Sequence, residues 1–236
     1  MSGTLILALL LIPCLVIAIV VHEVAHGWVA NALGDPTAKE RRRLTLNPIR
    51  HVDPVGTIAV PLALALFKGP IFGWAKPVPV LKNRLDNPRW GMVAVAAAGP
   101  GVNFAMAFAA SVLLGILVPL EAGPLIAQGA MPVFLDQNGD PAWAVTALTF
   151  FVLINLFLGL FNLLPIPPFD GSHIVEGLLP RPLARKYEKL RPLGFVLFFA
   201  LIALVWFAPQ LRIIESLYVP VLWVLDKLLP PGLFFI

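Results

Sequence analysis

The chain has 236 residues, of which 59% are hydrophobic and 13% charged, with a formal charge of +4 and a mean hydropathy of +0.88. This composition lies far outside the soluble globular range and indicates an integral membrane protein forming a single domain, with a core over about residues 4–191 and C-terminal helices over 192–236. It excludes a nucleic-acid binder, because the basic residues sit between apolar spans without interleaved aromatics, and the lone Cys14 excludes an intramolecular disulfide.

The first apolar span runs from about Thr4 to Leu33, with Pro13 inside it and Gly34-Asp35-Pro36 ending it. It has no basic n-region and no A-x-A-like end, so it reads as a mature span and not as a cleaved signal. A dense basic loop follows, Lys39 to His51. The next apolar run, Val55 to Phe67, carries Gly56 and Pro61 and is too short to cross as a straight helix, which predicts a re-entrant segment. Gly73 to Val80 then places Pro77 and Pro79 at alternate positions. That pattern fits an edge strand able to accept another extended chain, or a plain Pro-rich surface loop.

A second span covers Trp90 to Pro119, with a break of small residues and proline predicted at Ala98-Gly99-Pro100-Gly101. Asn103 lies at membrane depth and needs a partner there; an interhelical hydrogen bond is the plain role for it. Glu121 to Pro141 reads as a polar connection. A third span, Ala142 to Leu164, leads into the Pro-broken Asn162-to-Gly171 segment, and a fourth covers Leu193 to Ala208. Leu211 to Leu229 is either a fifth span or a helix lying in the interface. The expected fold class is therefore an all-α polytopic membrane protein of about four to five transmembrane helices, with a re-entrant segment and a short edge strand or hairpin.

Fifteen of the 17 Lys and Arg fall in Lys39–Arg89 or Arg181–Arg191, and none lies between Met92 and Pro180. The positive-inside rule makes those two regions cytoplasmic. The expected location is a cell inner or plasma membrane, multi-pass, with the site described next toward the cytoplasmic side.

Within the first span stands His22-Glu23-Val24-Ala25-His26. The i, i+4 spacing puts both imidazoles on one helix face, where they can grip one Zn²⁺ with Glu23 beside it. An ionisable group at membrane depth costs about 2.5–3.5 kcal/mol on insertion scales. These three residues lie roughly 12–18 Å before the helix exit, too deep for an imidazole to reach the headgroups. A purely structural polar cluster is the bland alternative. A catalytic zinc takes three protein ligands and keeps one position open. Asp53, Asp170, Glu176, His51 and His173 are the candidates for the third. Asp170 has the best context, at the end of a span after a Pro-broken segment, with Gly171 allowing close approach to a metal or substrate. Asp35, Glu40, Asp86 and Glu188 sit among basic loop residues and read as solvated.

His22-Glu23-Val24-Ala25-His26, Gly34-Asp35-Pro36-Thr37-Ala38, Leu44-Thr45-Leu46-Asn47-Pro48, Gly73-Trp74-Ala75-Lys76-Pro77-Val78-Pro79, Ala98-Gly99-Pro100-Gly101-Val102-Asn103 and Asn162 to Gly171 occur in that order. With these motifs the chain resembles the site-2 protease family, intramembrane zinc metalloproteases of peptidase family M50, in its compact bacterial branch without a PDZ or CBS domain. The resemblance implies one zinc held by His22, His26 and Asp170, with Glu23 as general base and Asn162 aiding substrate binding or oxyanion stabilisation. It implies pairing of Trp74, Lys76, Pro77 and Val78 with unwound substrate, with Asn103 a further substrate-contact candidate. Phe169 stands where the family usually has Leu.

The implied function is regulated intramembrane proteolysis: hydrolysis of peptide bonds within or near the span of a membrane-anchored, single-span substrate already trimmed outside. The partners are that substrate and the lipid bilayer, and a homo-oligomer is left open. The rival readings are a metal or proton transporter using the same His/Asp cluster, although no internal repeat is visible, and a catalytically silent relative that binds membrane helices.

Overall fold

The structure is a computed structural model and describes residues 3–66, 73–121, 125–128, 131–135 and 138–208, with Gln210, Val219 and Trp223. Most of the 211–229 stretch expected as a fifth span or interfacial helix lies outside the described residues. Eight α-helices are described: α1 (Gly3–Ala32), α2 (Thr37–Glu40), α3 (Val60–Leu66), α4 (Pro88–Glu121), α5 (Trp143–Asn162), α6 (Asp170–Leu178), α7 (Arg181–Glu188) and α8 (Gly194–Phe207). Three of them are long and apolar enough to cross a membrane, over Leu9–Ala32, Pro88–Leu117 and Trp143–Asn162. The fourth expected span, α8, has 14 residues and is about 21 Å long, short of a full crossing.

The chain forms two compact units. The first holds Met1–Ala18, Asn103–Leu160 and Glu215–Ile236, and the second holds Ile19–Val102 and Phe161–Ile214. In the first unit, Ala107, Ala110 and Leu114 of α4 pack with Val145, Val152 and Leu156 of α5 and with Phe134. Alanines on α4 let the larger α5 side chains fill the seam. Asn103 is fully buried, and its side-chain amide donates to Asn155 Oδ1 at 2.8 Å. It is thus a polar joint between α4 and α5. The connection read as merely polar contains an antiparallel hairpin, β1 (Leu125–Gln128) and β2 (Met131–Phe134), with Leu125 opposite Phe134.

In the second unit the chain turns out of α1 at Gly34, two residues past Ala32, with a φ of +99° that is open to glycine at little cost. The Asp35 N–H then caps the Ala30 carbonyl at 2.9 Å. Asp35 is not solvated as its basic neighbours suggested. It is fully buried, and its carboxylate accepts from Thr37 N (3.0 Å) and Leu81 N (2.6 Å), tying the end of α1 to the stretch before α4. Two further expectations need correction. The α4 helix runs unbroken through Gly99-Pro100-Gly101, since proline removes one ladder donor without ending a helix that other contacts hold. The hairpin is β1–β2; the 73–80 stretch has no strand ladder among the described residues and is an extended segment. The re-entrant candidate forms a helical turn, Pro54–Ala59, led by an Asp53 cap and followed by α3.

Candidate metal centre

His22 and His26 project from one face of α1, as i, i+4 spacing requires, and both are buried. Asp170 opens α6, just after the Pro-rich turn that follows α5. The two Nε2 atoms are 3.1 Å apart. Asp170 Oδ2 lies 3.2 Å from His22 Nε2 and 3.3 Å from His26 Nε2. Tetrahedral ligands at about 2.0–2.1 Å from a zinc ion stand about 3.3 Å from one another, so this triangle fits that ion.

The polar surroundings also suit a cation. His26 Nδ1 lies 2.7 Å from the carbonyl oxygen of Val95 on α4. A carbonyl only accepts, so Nδ1 carries a proton and Nε2 is the ring nitrogen turned toward Asp170. Asp170 Oδ2 is buried and, beyond these two ring nitrogens, has no hydrogen-bond partner among the described residues. Two imidazole nitrogens and a carboxylate oxygen converging at these distances form a donor set that a metal would satisfy, and the Val95 carbonyl is an outer partner of the kind that orients such a ligand. These three are the one group of metal-ligating side chains of this kind among the described residues.

Gly99 makes the arrangement sterically feasible. A Cβ there would stand 2.5 Å from Cε1 of His22 and from Cε1 and Nε2 of His26. The small-residue stretch on α4 therefore serves to admit two imidazoles. Gly171 serves a different purpose from the one expected: its missing Cβ clears the backbone carbonyls of Leu163 and Leu164.

Glu23 is fixed by the extended segment. Val78 N–H donates to its Oε2 at 2.8 Å, and Oε1 has no hydrogen bond from the described residues. Among the described residues the same segment is anchored along one edge. Trp74 N–H donates to the Gly56 carbonyl (3.1 Å) and Lys76 N–H to the His51 carbonyl (2.8 Å). The Trp74 carbonyl accepts from Thr57 Oγ1 (2.9 Å), and the Lys76 carbonyl from the buried Arg43 guanidinium (2.7 Å). Residues 74, 76 and 78 thus turn their backbone groups inward. Ala75, Pro77 and Pro79 alternate with them and make no backbone hydrogen bond to the described residues.

The other third-ligand candidates are occupied elsewhere. His51 lies 2.8 Å from the Thr45 carbonyl, and Asp53 caps Val55 and Gly56. Glu176 pairs with Lys82 and Arg191, and His173 lies 3.0 Å from Arg191. Burial alone would raise the Glu176 pKa, but Lys82 and Arg191 hold it below the usual carboxylate range. Burial, then the Arg191 charge, lowers that of His173. Asn162 is the last residue of α5 and half-buried, and Asn103 belongs to the first unit. The link from Glu23 to Val78 carries no sequence signature, since any residue but proline supplies the N–H. The Val95 carbonyl is equally silent, whereas Gly99 was visible as one of a run of small residues.

The profile of Peptidase family M50 matches residues 10–204. "Putative zinc metalloprotease YwhC" of Bacillus subtilis is 41% identical over 195 residues, covering 81% of this chain and 80% of the relative. "Putative zinc metalloprotease Rip2" of Mycolicibacterium smegmatis is 25% identical over 189 residues, covering 80% of this chain and 64% of the relative. Its namesake in Mycobacterium tuberculosis is 29% identical over 161 residues, covering 68% and 53%. No solved structure matches the chain.

Proposed function

Because the chain belongs to peptidase family M50 and so to the metalloproteases, we propose that it cleaves peptide bonds within or near the transmembrane segment of membrane-anchored, single-span proteins, from the cytoplasmic side. His22, His26 and Asp170 hold one zinc ion. The observation that carries this reading is their triangle of ligand atoms, 3.1–3.3 Å on each side, at a helix apolar enough to cross a membrane. When bound, zinc supplies Lewis acidity, polarising a carbonyl and acidifying water.

The chain's own residues supply the rest. Glu23, held at Oε2 by Val78, takes a proton from the attacking water on Oε1 and delivers it to the leaving amine. Asn162, close in sequence to Asp170, binds substrate or steadies the developing oxyanion. The substrate must unwind first, because a helix hides its carbonyls in i→i−4 bonds. The open edge of the 73–80 segment then receives it. That edge offers carbonyls at Ala75, Pro77 and Pro79 but an N–H only at Ala75, since proline has none. It therefore gathers substrate N–H groups and leaves most substrate carbonyls uncaptured, free for hydrolysis.

The test is cleavage of a single-span substrate by purified protein in liposomes. Wild type should cut in or near the span, while Glu23→Gln should keep its zinc and cut nothing. Zinc or proton flux without cleavage would overturn the assignment in favour of a transporter.

A further inference from the structure

A cavity of about 180 Å³, lined by none of His22, His26 and Asp170, lies between the start of α4 and helices α6 and α7. Lys82, Arg89, Arg181 and Arg185 line it, with Glu176 and Glu188 as its two acids. The acids do not neutralise it. Glu176 is bonded to Lys82 and to Arg191, and Glu188 lies 3.9 Å from Arg191. Arg89 donates only to neutral acceptors, the Gly177 and Leu179 carbonyls at 2.7 and 2.8 Å. Arg181 and Arg185, one turn apart on one face of α7, have no partner among the described residues. Three guanidinium groups thus border one cavity with no carboxylate assigned to them. Planar guanidinium forks match phosphate oxygens in pairs.

The surroundings of this cavity suit a membrane surface. Arg89 and Met92 sit in the first turns of α4, a helix apolar enough to span from Pro88. Trp90 is exposed beside Arg89, whose guanidinium carbon lies 5.7 Å from the indole centroid, and tryptophan favours the headgroup level. Leu178, Leu183, Leu190 and Leu193 are exposed on the segments flanking the cavity. A basic cavity with apolar side chains around it suits the boundary between headgroups and acyl chains.

We propose that this cavity binds the phosphate of an anionic phospholipid headgroup, with Arg181 and Arg185 as the principal contacts. The proposal rests on the membrane placement of α4 and is independent of the protease reading.

Detergent-purified protein is offered phosphatidylglycerol or phosphatidylcholine, and bound lipid is counted by native mass spectrometry. Phosphatidylglycerol should be retained in preference. Replacing both arginines (Arg181→Gln with Arg185→Gln) should weaken it about thirtyfold. Lys186→Gln with Lys189→Gln removes the same charge from residues that do not line the cavity and should weaken it less than about threefold. Arg181→Lys with Arg185→Lys, the milder change should the glutamine pair not fold, should also lose affinity because the fork is gone. Equal retention of both lipids, or wild-type affinity in either arginine variant, would overturn the proposal. So would displacement of the lipid by inorganic phosphate or by an acidic peptide, which would make the ligand a soluble phosphate or a protein segment. Cleavage is not the readout, so a negative result leaves the protease reading standing; a chain that stayed monodisperse without detergent would instead refute the membrane placement.

Discussion

Replacing Gly99 by alanine should weaken the metal centre while leaving the helix intact. The added Cβ would lie 2.5 Å from three ring atoms of His22 and His26, whereas comfortable carbon contacts are about 3.5–4.0 Å. The rings or α4 must therefore move by about 1 Å, several times the roughly 0.2 Å tolerance of a metal–ligand distance. The His26 ring cannot retreat freely, because its Nδ1 is held 2.7 Å from the Val95 carbonyl one turn away on the same helix. Overpacking costs about 1–3 kcal/mol, of which the better helix propensity of alanine returns about 1. Thermal stability should thus change little, while zinc affinity should fall roughly 10–100-fold, as when an outer partner of a ligand is lost. Gly101→Ala is the internal control: nothing lies within 4 Å of a Cβ there, and zinc content should match wild type. Zinc is measured by mass spectrometry of the purified variants. A Gly99→Ala protein with full zinc would refute the argument that this glycine is present to admit the imidazoles.

Further outcomes are expected. Asp170→Ala should reduce bound zinc to a small fraction of wild type, because two histidines alone leave the ion mostly hydrated; unchanged stoichiometry would mean a different third ligand. Val78→Pro removes the N–H that fixes Glu23 and should lower kcat roughly 10²-fold with zinc retained; unchanged kcat would show that the base needs no such anchor. Asp35 governs acid stability. Burial would raise its pKa, but bonds from Thr37 and Leu81 and the Arg84 charge hold it below the ordinary value. Its stabilisation is then complete above about pH 4 and is lost as pH falls through the lower folded value. Asp35→Asn should cost about 1–3 kcal/mol near neutral pH and flatten the acid limb of a melting profile; an acid limb identical to wild type would contradict this.

What could be read from the sequence follows the range of the forces involved. The i, i+4 histidines and the three long apolar spans are local periodicities, and the helix geometry realises them directly. Asp170 was singled out by context, and it does meet both imidazoles. Asp35 is buried and not solvated: neighbouring charges in sequence say nothing about a donor from Leu81, 46 positions away. Pro100 suggested a break, yet tertiary contacts carry α4 through it. The hairpin at 125–134 lacked a strong alternating pattern and was hidden in a segment classed by its charges. Backbone donors and acceptors, such as Val78 N–H on Glu23 and the Val95 carbonyl at His26, are nearly blind to residue type and so leave no trace in the letters.

Zinc-edge X-ray absorption on the purified wild-type protein tests the metal centre most directly. Two imidazole nitrogens and carboxylate or water oxygens at about 2.0–2.2 Å, with one zinc per chain, are the predicted result. A sulfur ligand at about 2.3 Å, or protein carrying no zinc, would contradict the account.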